Sequence, residues 1–287
     1  MNTISTATQL CAVIGHPVGH SLSPQIHNAA FQHLGLDYVY LAFDVTDLPA
    51  AMTGMRALPS FRGMSVTIPH KQGIIALLDE VDPTAARIGS VNTVINDNGR
   101  LLGLSTDGPG TLRSFEEAGV SLAGKRVLFL GTGGAARAVA FAMAEQGGVA
   151  AVTVAGRTPQ NVNQLAADLG HSPADCELNT AGLGDGLPDL VSAHDVIINA
   201  TPMGMAPESV GKTLVTSAML RPGQVVFDMV YRPLETRLLQ EAGDAGAIIV
   251  DGLSMLVNQA ALQFEAWTGQ QAPRDVMRQA ALAALQQ

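Results

Sequence analysis

Short apolar runs, each followed by a loop and then by residues of helical period, recur along this chain. Leu10 to Gly15 reads as a strand, and His16-Pro17-Val18-Gly19-His20 as the loop after it. Ser23-Pro24 opens a helix, with Ser23 at the N-cap and proline at the first helical position. Ile26, Ala29, Ala30, Phe31 and Leu34 form its apolar face, and Gly35 ends it. Tyr38 to Phe43 is a second strand, and Asp47 with Pro49 starts a second helix. Met64 to Ile68 predicts a buried strand: Val66 and Ile68 favour the pleated conformation, and Pro69 stops the ladder. Asp82-Pro83-Thr84 opens a short helical turn ending near Gly89. Val91 to Ile95 and Leu101 to Leu104 predict a hairpin turning at Asn98-Gly99.

The pattern changes after Asp107-Gly108, which leads into a helix carrying Leu112 and Phe115. Arg126 to Leu130 is a continuous apolar strand, followed by Gly131-Thr132-Gly133-Gly134-Ala135-Ala136 and an alanine-rich helix to Gln146. Val152 to Ala155, Val196 to Asn199, Val225 to Phe227 and Ile248 to Val250 are further buried strands. Thr158-Pro159 caps one helix and Leu234 to Ala242 forms another. This alternation predicts an α/β fold, its parallel sheet covered by helices on both faces. Gly252 to Trp267 and Pro273 to Leu285 close the chain as two helices.

The 287 residues allow two modest domains or one large one, and the hydrophobic content implies a sizeable core. A net charge of -9 without a basic run argues against nucleic acid or an anionic membrane as the main partner. An anionic ligand must therefore be held by a local site. The two cysteines, Cys11 and Cys176, lie in no metal or redox spacing and read as reduced core thiols of a cytoplasmic protein. No signal-peptide pattern and no apolar run of membrane-spanning length is present.

Three stretches carry candidate chemistry. Gly131-x-Gly133-x-x-Ala136 follows a strand and opens a helix, the context in which such a loop binds a pyrophosphate. The tip of the next strand is Gly156-Arg157-Thr158, with no carboxylate to bind a ribose 2′-hydroxyl. Arg157 can pair with a 2′-phosphate and Thr158 can donate to it, which favours NADP over NAD. Lys71 stands just past the predicted Met64–Ile68 strand, after Pro69-His70, where a lysine is a candidate proton donor or acceptor. Ser21, Ser23, Thr67, Asn92, Asp107 and Gln259 add polar groups at strand ends and helix starts. His16, His20 and His27 have no acidic or cysteine neighbour at metal-ligand spacing, so no metal is expected.

Together these segments resemble the shikimate dehydrogenase family, in order through nearly the whole chain. The matching motifs are Ser21-Leu22-Ser23-Pro24, Val66-Thr67-Ile68-Pro69-x-Lys71, Val91-Asn92-Thr93, Thr106-Asp107-Gly108, the glycine loop, Arg157-Thr158, Ile198-Asn199-Ala200-Thr201-Pro202-x-Gly204-Met205, Asp228-Met229-Val230-Tyr231 and Asp251-Gly252-x-x-Met255-Leu256. The resemblance implies a two-domain α/β protein. Its substrate domain would be residues 1–107 completed by 253–287, its Rossmann-type nucleotide-binding domain residues 108–252, and its site the cleft between them. It implies reversible hydride transfer between NADPH and 3-dehydroshikimate, giving shikimate, within aromatic amino-acid biosynthesis. Lys71 and Asp107 would be the catalytic pair. Ser21 and Ser23 would hold the substrate carboxylate with Tyr231 nearby, and Thr67, Asn92, Asp107 and Gln259 the ring hydroxyls. Gly131, Thr132, Gly133, Gly134 and Ala135 would hold the pyrophosphate, and Arg157 with Thr158 the 2′-phosphate. Met229 and Gly252 would lie near the nicotinamide, with Thr201 and Met255 completing the cofactor set.

The chain departs from the family pattern at Ser65, Ser105, Gly156, Asn161 and Ser254. Ser65 and Ser105 shorten side chains beside the ring site, which leaves quinate or another ring acid open as substrate. Asn161 stands where a second basic residue often grips the 2′-phosphate, which leaves mixed NADP/NAD use open. A non-catalytic ligand-binding sensor on the same fold is the alternative of another class, opposed by the intact Lys71 and Asp107. A folate-type dehydrogenase is opposed by the Ser-x-Ser-Pro segment. Monomer and homodimer both remain open.

Overall fold

The apolar run at Gln9–Gly15 becomes β1, which hydrogen-bonds to a parallel neighbour on each side. The computed structural model describes residues 4–171 and 175–286. It divides into two compact units, Met1–Gly110 with Val257–Gln287, and Thr111–Leu256.

In the first unit the elements after β1 are α1 Ser23–His33, β2 Tyr38–Asp44, α2 Leu48–Arg56, β3 Phe61–Val66, the one-turn helix α3 His70–Gly73, β4 Glu80–Val81, α4 Pro83–Ile88, β5 Thr93–Asp97 and β6 Arg100–Leu104. The sheet order is β2-β1-β3-β5-β6-β4. It is mixed, because the Asn98-Gly99 turn folds β6 antiparallel onto β5, and β5 pairs antiparallel with β3. One face packs Ile14, Phe61, Met64 and Val66 against Met52, Ile74 and Leu101. On the other side Phe31 of α1 packs against Tyr38 and Phe264, and Tyr40 against Trp267.

The second unit carries β7 Arg126–Leu130, α6 Gly134–Gln146, β8 Ala151–Gly156, α7 Pro159–Gly170, β9 Glu177–Gly182, α8 Leu187–Ser192, β10 Val196–Asn199, β11 Val225–Asp228, α9 Arg237–Asp244 and β12 Ile248–Val250. Its six strands are all parallel, in the order β12-β11-β10-β7-β8-β9. The order reverses between β7 and β10, so the carboxyl ends of those two strands flank the crevice where such sheets bind ligands. α5 Asp107–Glu117 and α10 Gly252–Thr268 each cross a division between the units, and α11 Arg274–Leu285 ends the first. Among the described residues no helix is long and apolar enough to cross a membrane.

Several local expectations need correction. Ser23 is the first helical residue, not the N-cap; Leu22 takes that position, and the Ser23 hydroxyl meets Ser21 instead of capping. β3 stops at Val66, and Ile68 is 74% exposed. β5 pairs with β3 only from Gly63 to Ser65; past it the chain still bonds to the β1 side, where the Ile68 carbonyl accepts from the His16 amide. α9 starts at Arg237, because Thr236 caps it by accepting from the Leu239 amide. β9 was not expected: Glu177–Gly182 has little apolar content and forms an edge strand on β8.

His27, on the apolar face of α1, is fully buried and stacks on Tyr40 with ring centroids 4.4 Å apart. Neither ring nitrogen has a hydrogen-bond partner. Burial pushes the imidazole down to about 3, with the neighbouring Gln263 amide opposing. The unfolded chain therefore binds a proton at this residue between about pH 6.5 and 3 that the folded chain does not, so stability is full above that range and falls with pH inside it. Urea unfolding at pH 7 and pH 5 should show a loss of about 2 kcal/mol from this residue, absent in His27→Phe. An equal pH dependence in the two proteins would contradict it.

Candidate active site

At the carboxyl end of β3 the chain turns into α3. His70 anchors that turn: its Nε2 lies 2.8 Å from the Val45 carbonyl. The next residue, Lys71, is half-buried, and its backbone carbonyl accepts from the Val91 amide. Its Nζ donates to Asp107 Oδ2 at 2.6 Å, with side-chain exposures of 19% and 9%. Asp107 is the first residue of α5, where the helix N-terminus favours a carboxylate.

The other carboxylate oxygen, Oδ1, accepts from Asn92 Nδ2 at 2.7 Å. Asn92 Nδ2 also faces Thr106 Oγ1 at 3.0 Å and Gln259 Oε1 at 3.4 Å. Asn92 Oδ1 accepts from the Thr106 amide at 2.8 Å and from Thr93 Oγ1 at 2.7 Å. The structure thus brings Lys71, Asn92, Asp107 and Gln259 into one hydrogen-bonded cluster. Ser21 and Ser23 make a separate pair, Oγ to Oγ 3.2 Å, with the Ser23 amide donating to Ser21 Oγ at 3.3 Å. Thr67 sits half-buried after β3, its amide donating to the Ile14 carbonyl. A charged donor beside neutral hydroxyls and amides suits a small polyol bearing a carboxylate.

Tyr231 lies in the second unit, after β11, and burial raises its phenol. In the same unit Gly131 ends β7 with φ +115°, and a side chain there would meet Ala200 O at 2.9 Å and Thr201 Cγ2 at 3.0 Å. Only glycine fits this turn between the two strands at the order reversal. α6 begins at Gly134 with no side-chain cap, and Gly133 and Gly134 are exposed, with Thr132 and Ala135 half-buried. The first amides of α6 thus have no side-chain acceptor and suit a pyrophosphate. Arg157 and Thr158 are exposed at the tip of β8; Thr158 occupies the N-cap position of α7, yet its hydroxyl makes no cap bond. The residues present therefore fit a phosphorylated dinucleotide.

Thr201 is held by Asn199: its amide and hydroxyl both donate to Asn199 Oδ1. Asn199 Nδ2 in turn donates to Asp228 Oδ1 at 2.9 Å. Asp228, fully buried, also accepts from the Val230 amide and Thr236 Oγ1. Burial raises its carboxyl, and these three donors oppose that. Met229 is half-buried in the next turn. A side chain at Gly252 would lie 2.7 Å from the Met229 carbonyl, so glycine lets α10 start against that turn, with Met255 buried one turn on.

Several members were missed in the sequence: Asn199, Asp228 and Thr236 as a support network, and Tyr40, Thr93, Thr106 and Gln263 around Asn92. The available signal was polar side chains at otherwise apolar positions of strands and of α10. Among the described residues no three His, Cys, Asp or Glu side chains gather as a metal site, although His16 Nδ1 lies 2.5 Å from Asp44.

The family described as "Shikimate dehydrogenase substrate binding domain" matches residues 13–94, "Shikimate / quinate 5-dehydrogenase" residues 113–240, and "Shikimate 5'-dehydrogenase C-terminal domain" residues 252–282. A shikimate dehydrogenase (NADP(+)) of Moorella thermoacetica is 49% identical over 280 residues, 96% of this chain and 94% of that one. The crystal structure of shikimate 5-dehydrogenase from Listeria monocytogenes, in complex with shikimate and NAD, matches with a TM-score of 0.91 at 39% identity, covering 97% of this chain and 98% of that one. The enzyme from Thermus thermophilus, in complex with NADP(H) and shikimate, matches with a TM-score of 0.86 at 39% identity, covering 96% and 100%. This chain belongs to the shikimate dehydrogenase family, with both its substrate domain and its NAD(P)-binding domain.

Proposed function

We propose that this protein is an NADP-dependent shikimate dehydrogenase of the cytoplasm, reversibly reducing 3-dehydroshikimate to shikimate. The observation that carries the reading is the Lys71–Asp107 pair, 2.6 Å apart inside a cluster of neutral hydrogen-bonding groups. NADP(H), when bound, supplies or takes up the hydride.

The Ser21 and Ser23 hydroxyls hold the substrate carboxylate, and Thr67, Asn92, Asp107 and Gln259 pair with ring hydroxyls. A ring lacking one of those hydroxyls leaves a buried polar group unpaired, which gives selectivity. As the ketone carbon gains a hydride its oxygen becomes an alkoxide. The Lys71 ammonium stabilises that charge and gives its proton to the oxygen. In the reverse direction the amine of Lys71 accepts the hydroxyl proton as hydride leaves the carbon. Asp107, holding Nζ through Oδ2 and anchored through Oδ1 by Asn92, keeps the amine in place for both. Arg157 pairs with the cofactor 2′-phosphate, and the uncapped start of α6 receives the pyrophosphate.

Lys71→Ala should lower kcat for shikimate oxidation by about 10²- to 10⁴-fold while KM for shikimate moves only a few-fold, read from NADPH formation. Full turnover without the amine would sink the assignment. Arg157→Ala should raise KM for NADP by about tenfold or more and leave KM for NAD in place. An equal rise for both cofactors would remove Arg157 from the phosphate site. Quinate replacing shikimate as the faster substrate in the unaltered protein would change the ring acid but not the chemistry.

A further inference from the structure

Gln263 lies one turn beyond Gln259 on α10 and is 1% exposed. It does not touch Lys71 or Asp107, yet it holds the backbone of Asn92. Its Oε1 accepts from Ser65 Oγ at 2.7 Å, and Ser65 Oγ accepts from the Tyr40 hydroxyl at 2.6 Å. With the phenol proton on Ser65, the serine proton goes to Gln263. The Gln263 Nε2 then faces the Asn92 backbone carbonyl at 3.1 Å and Thr93 Oγ1 at 3.0 Å. Because Thr93 Oγ1 accepts there, its own proton goes to Asn92 Oδ1 at 2.7 Å. Asn92 Oδ1, which the Thr106 amide already requires as an acceptor, is thereby held by a second donor, and Nδ2 is left to hold Asp107 Oδ1.

The opposite sense fails at each step. A flipped Gln263 would set Oε1 against the Asn92 carbonyl, and a flipped Asn92 would set Oδ1 against the Asp107 carboxylate. All the protons run one way, from Tyr40 to the acid–base pair. The ring of Tyr40 is itself clamped by stacking on His27 at 4.4 Å.

We propose that Gln263 is a positioning residue, which with Ser65 and Tyr40 holds Asn92, by its backbone carbonyl and through Thr93, in the place from which it anchors the Asp107–Lys71 pair. The proposal rests on the dehydrogenase reading above. Three variants test it: Gln263→Met, which keeps the length but removes both polar ends; Ser65→Ala, which leaves the buried Gln263 Oε1 without its donor and so loosens the side chain; and Ser65→Thr, which restores the hydroxyl. Each is followed with shikimate and with shikimate deuterated at the carbon that is oxidised. Gln263→Met and Ser65→Ala should lower kcat by about ten- to a hundredfold, the usual cost of a misplaced reacting group, with KM for shikimate within about threefold. The isotope effect on kcat should exceed that of the unaltered protein, because hydride transfer becomes slower relative to product release. Ser65→Thr should return both values toward normal. If Gln263→Met fails to fold, the Ser65 pair decides. A loss of kcat with an unchanged isotope effect would mean fewer active molecules, and it overturns the proposal, as does undiminished turnover. Inability of the unaltered protein to oxidise shikimate would instead overturn the reading beneath it.

Discussion

An ammonium and a carboxylate taken largely out of water must have their remaining protons and lone pairs answered, or the pair costs more than its attraction returns. Lys71 and Asp107 meet that requirement with groups from distant parts of the chain. α3 supplies the amine, α5 the carboxylate, the segment before β5 the Asn92 amide, and α10 the two glutamines. The mixed sheet is what brings them together. The β5–β6 hairpin sets Asn92 and Thr106 side by side, and β3 delivers Ser65 to Gln263 and then leads into the turn that carries Lys71. Loss of one member leaves a buried polar group unpaired, so the network is stiff.

The second unit solves the opposite problem. Its interior polar groups are answered, as in the Asn199–Asp228–Thr236 network that holds the loops after β10 and β11. The starts of α6 and α7 lack such side-chain caps. α6 starts without a side-chain cap, and Thr158 sits at a cap position without making the bond. Donors left free in this way suit a ligand that brings its own negative charge. The net charge of -9 makes such local provision necessary, since the overall field does not attract an anion.

Much of this was legible in the order of residues because it depends on local rules. The Asn98-Gly99 turn, the Asp47 and Asp82 caps and the glycine loop each follow from the conformational demands of a few adjacent residues. The polar candidates of the first domain were legible only as a set in order, since each alone also reads as a cap or a surface residue. What escaped depends on contacts far apart in sequence. Tyr40 looked like a strand aromatic, and its hydroxyl matters only because Ser65 lies beneath it. His27 fell on an apolar helix face, where its burial without partners could not be foreseen. Ile68 was assigned to the strand on propensity, but the pairing with β5 ends before it. β9 carries almost no periodic signal, because an edge strand need not bury both faces.

A crystal structure of the protein with shikimate and NADP tests the central claim most directly. The expected result has Lys71 Nζ within about 3.2 Å of the hydroxyl that is oxidised, with Asp107 still bonded to the amine. A ring bound with that hydroxyl turned away from Lys71, or with another side chain holding its proton, would contradict it.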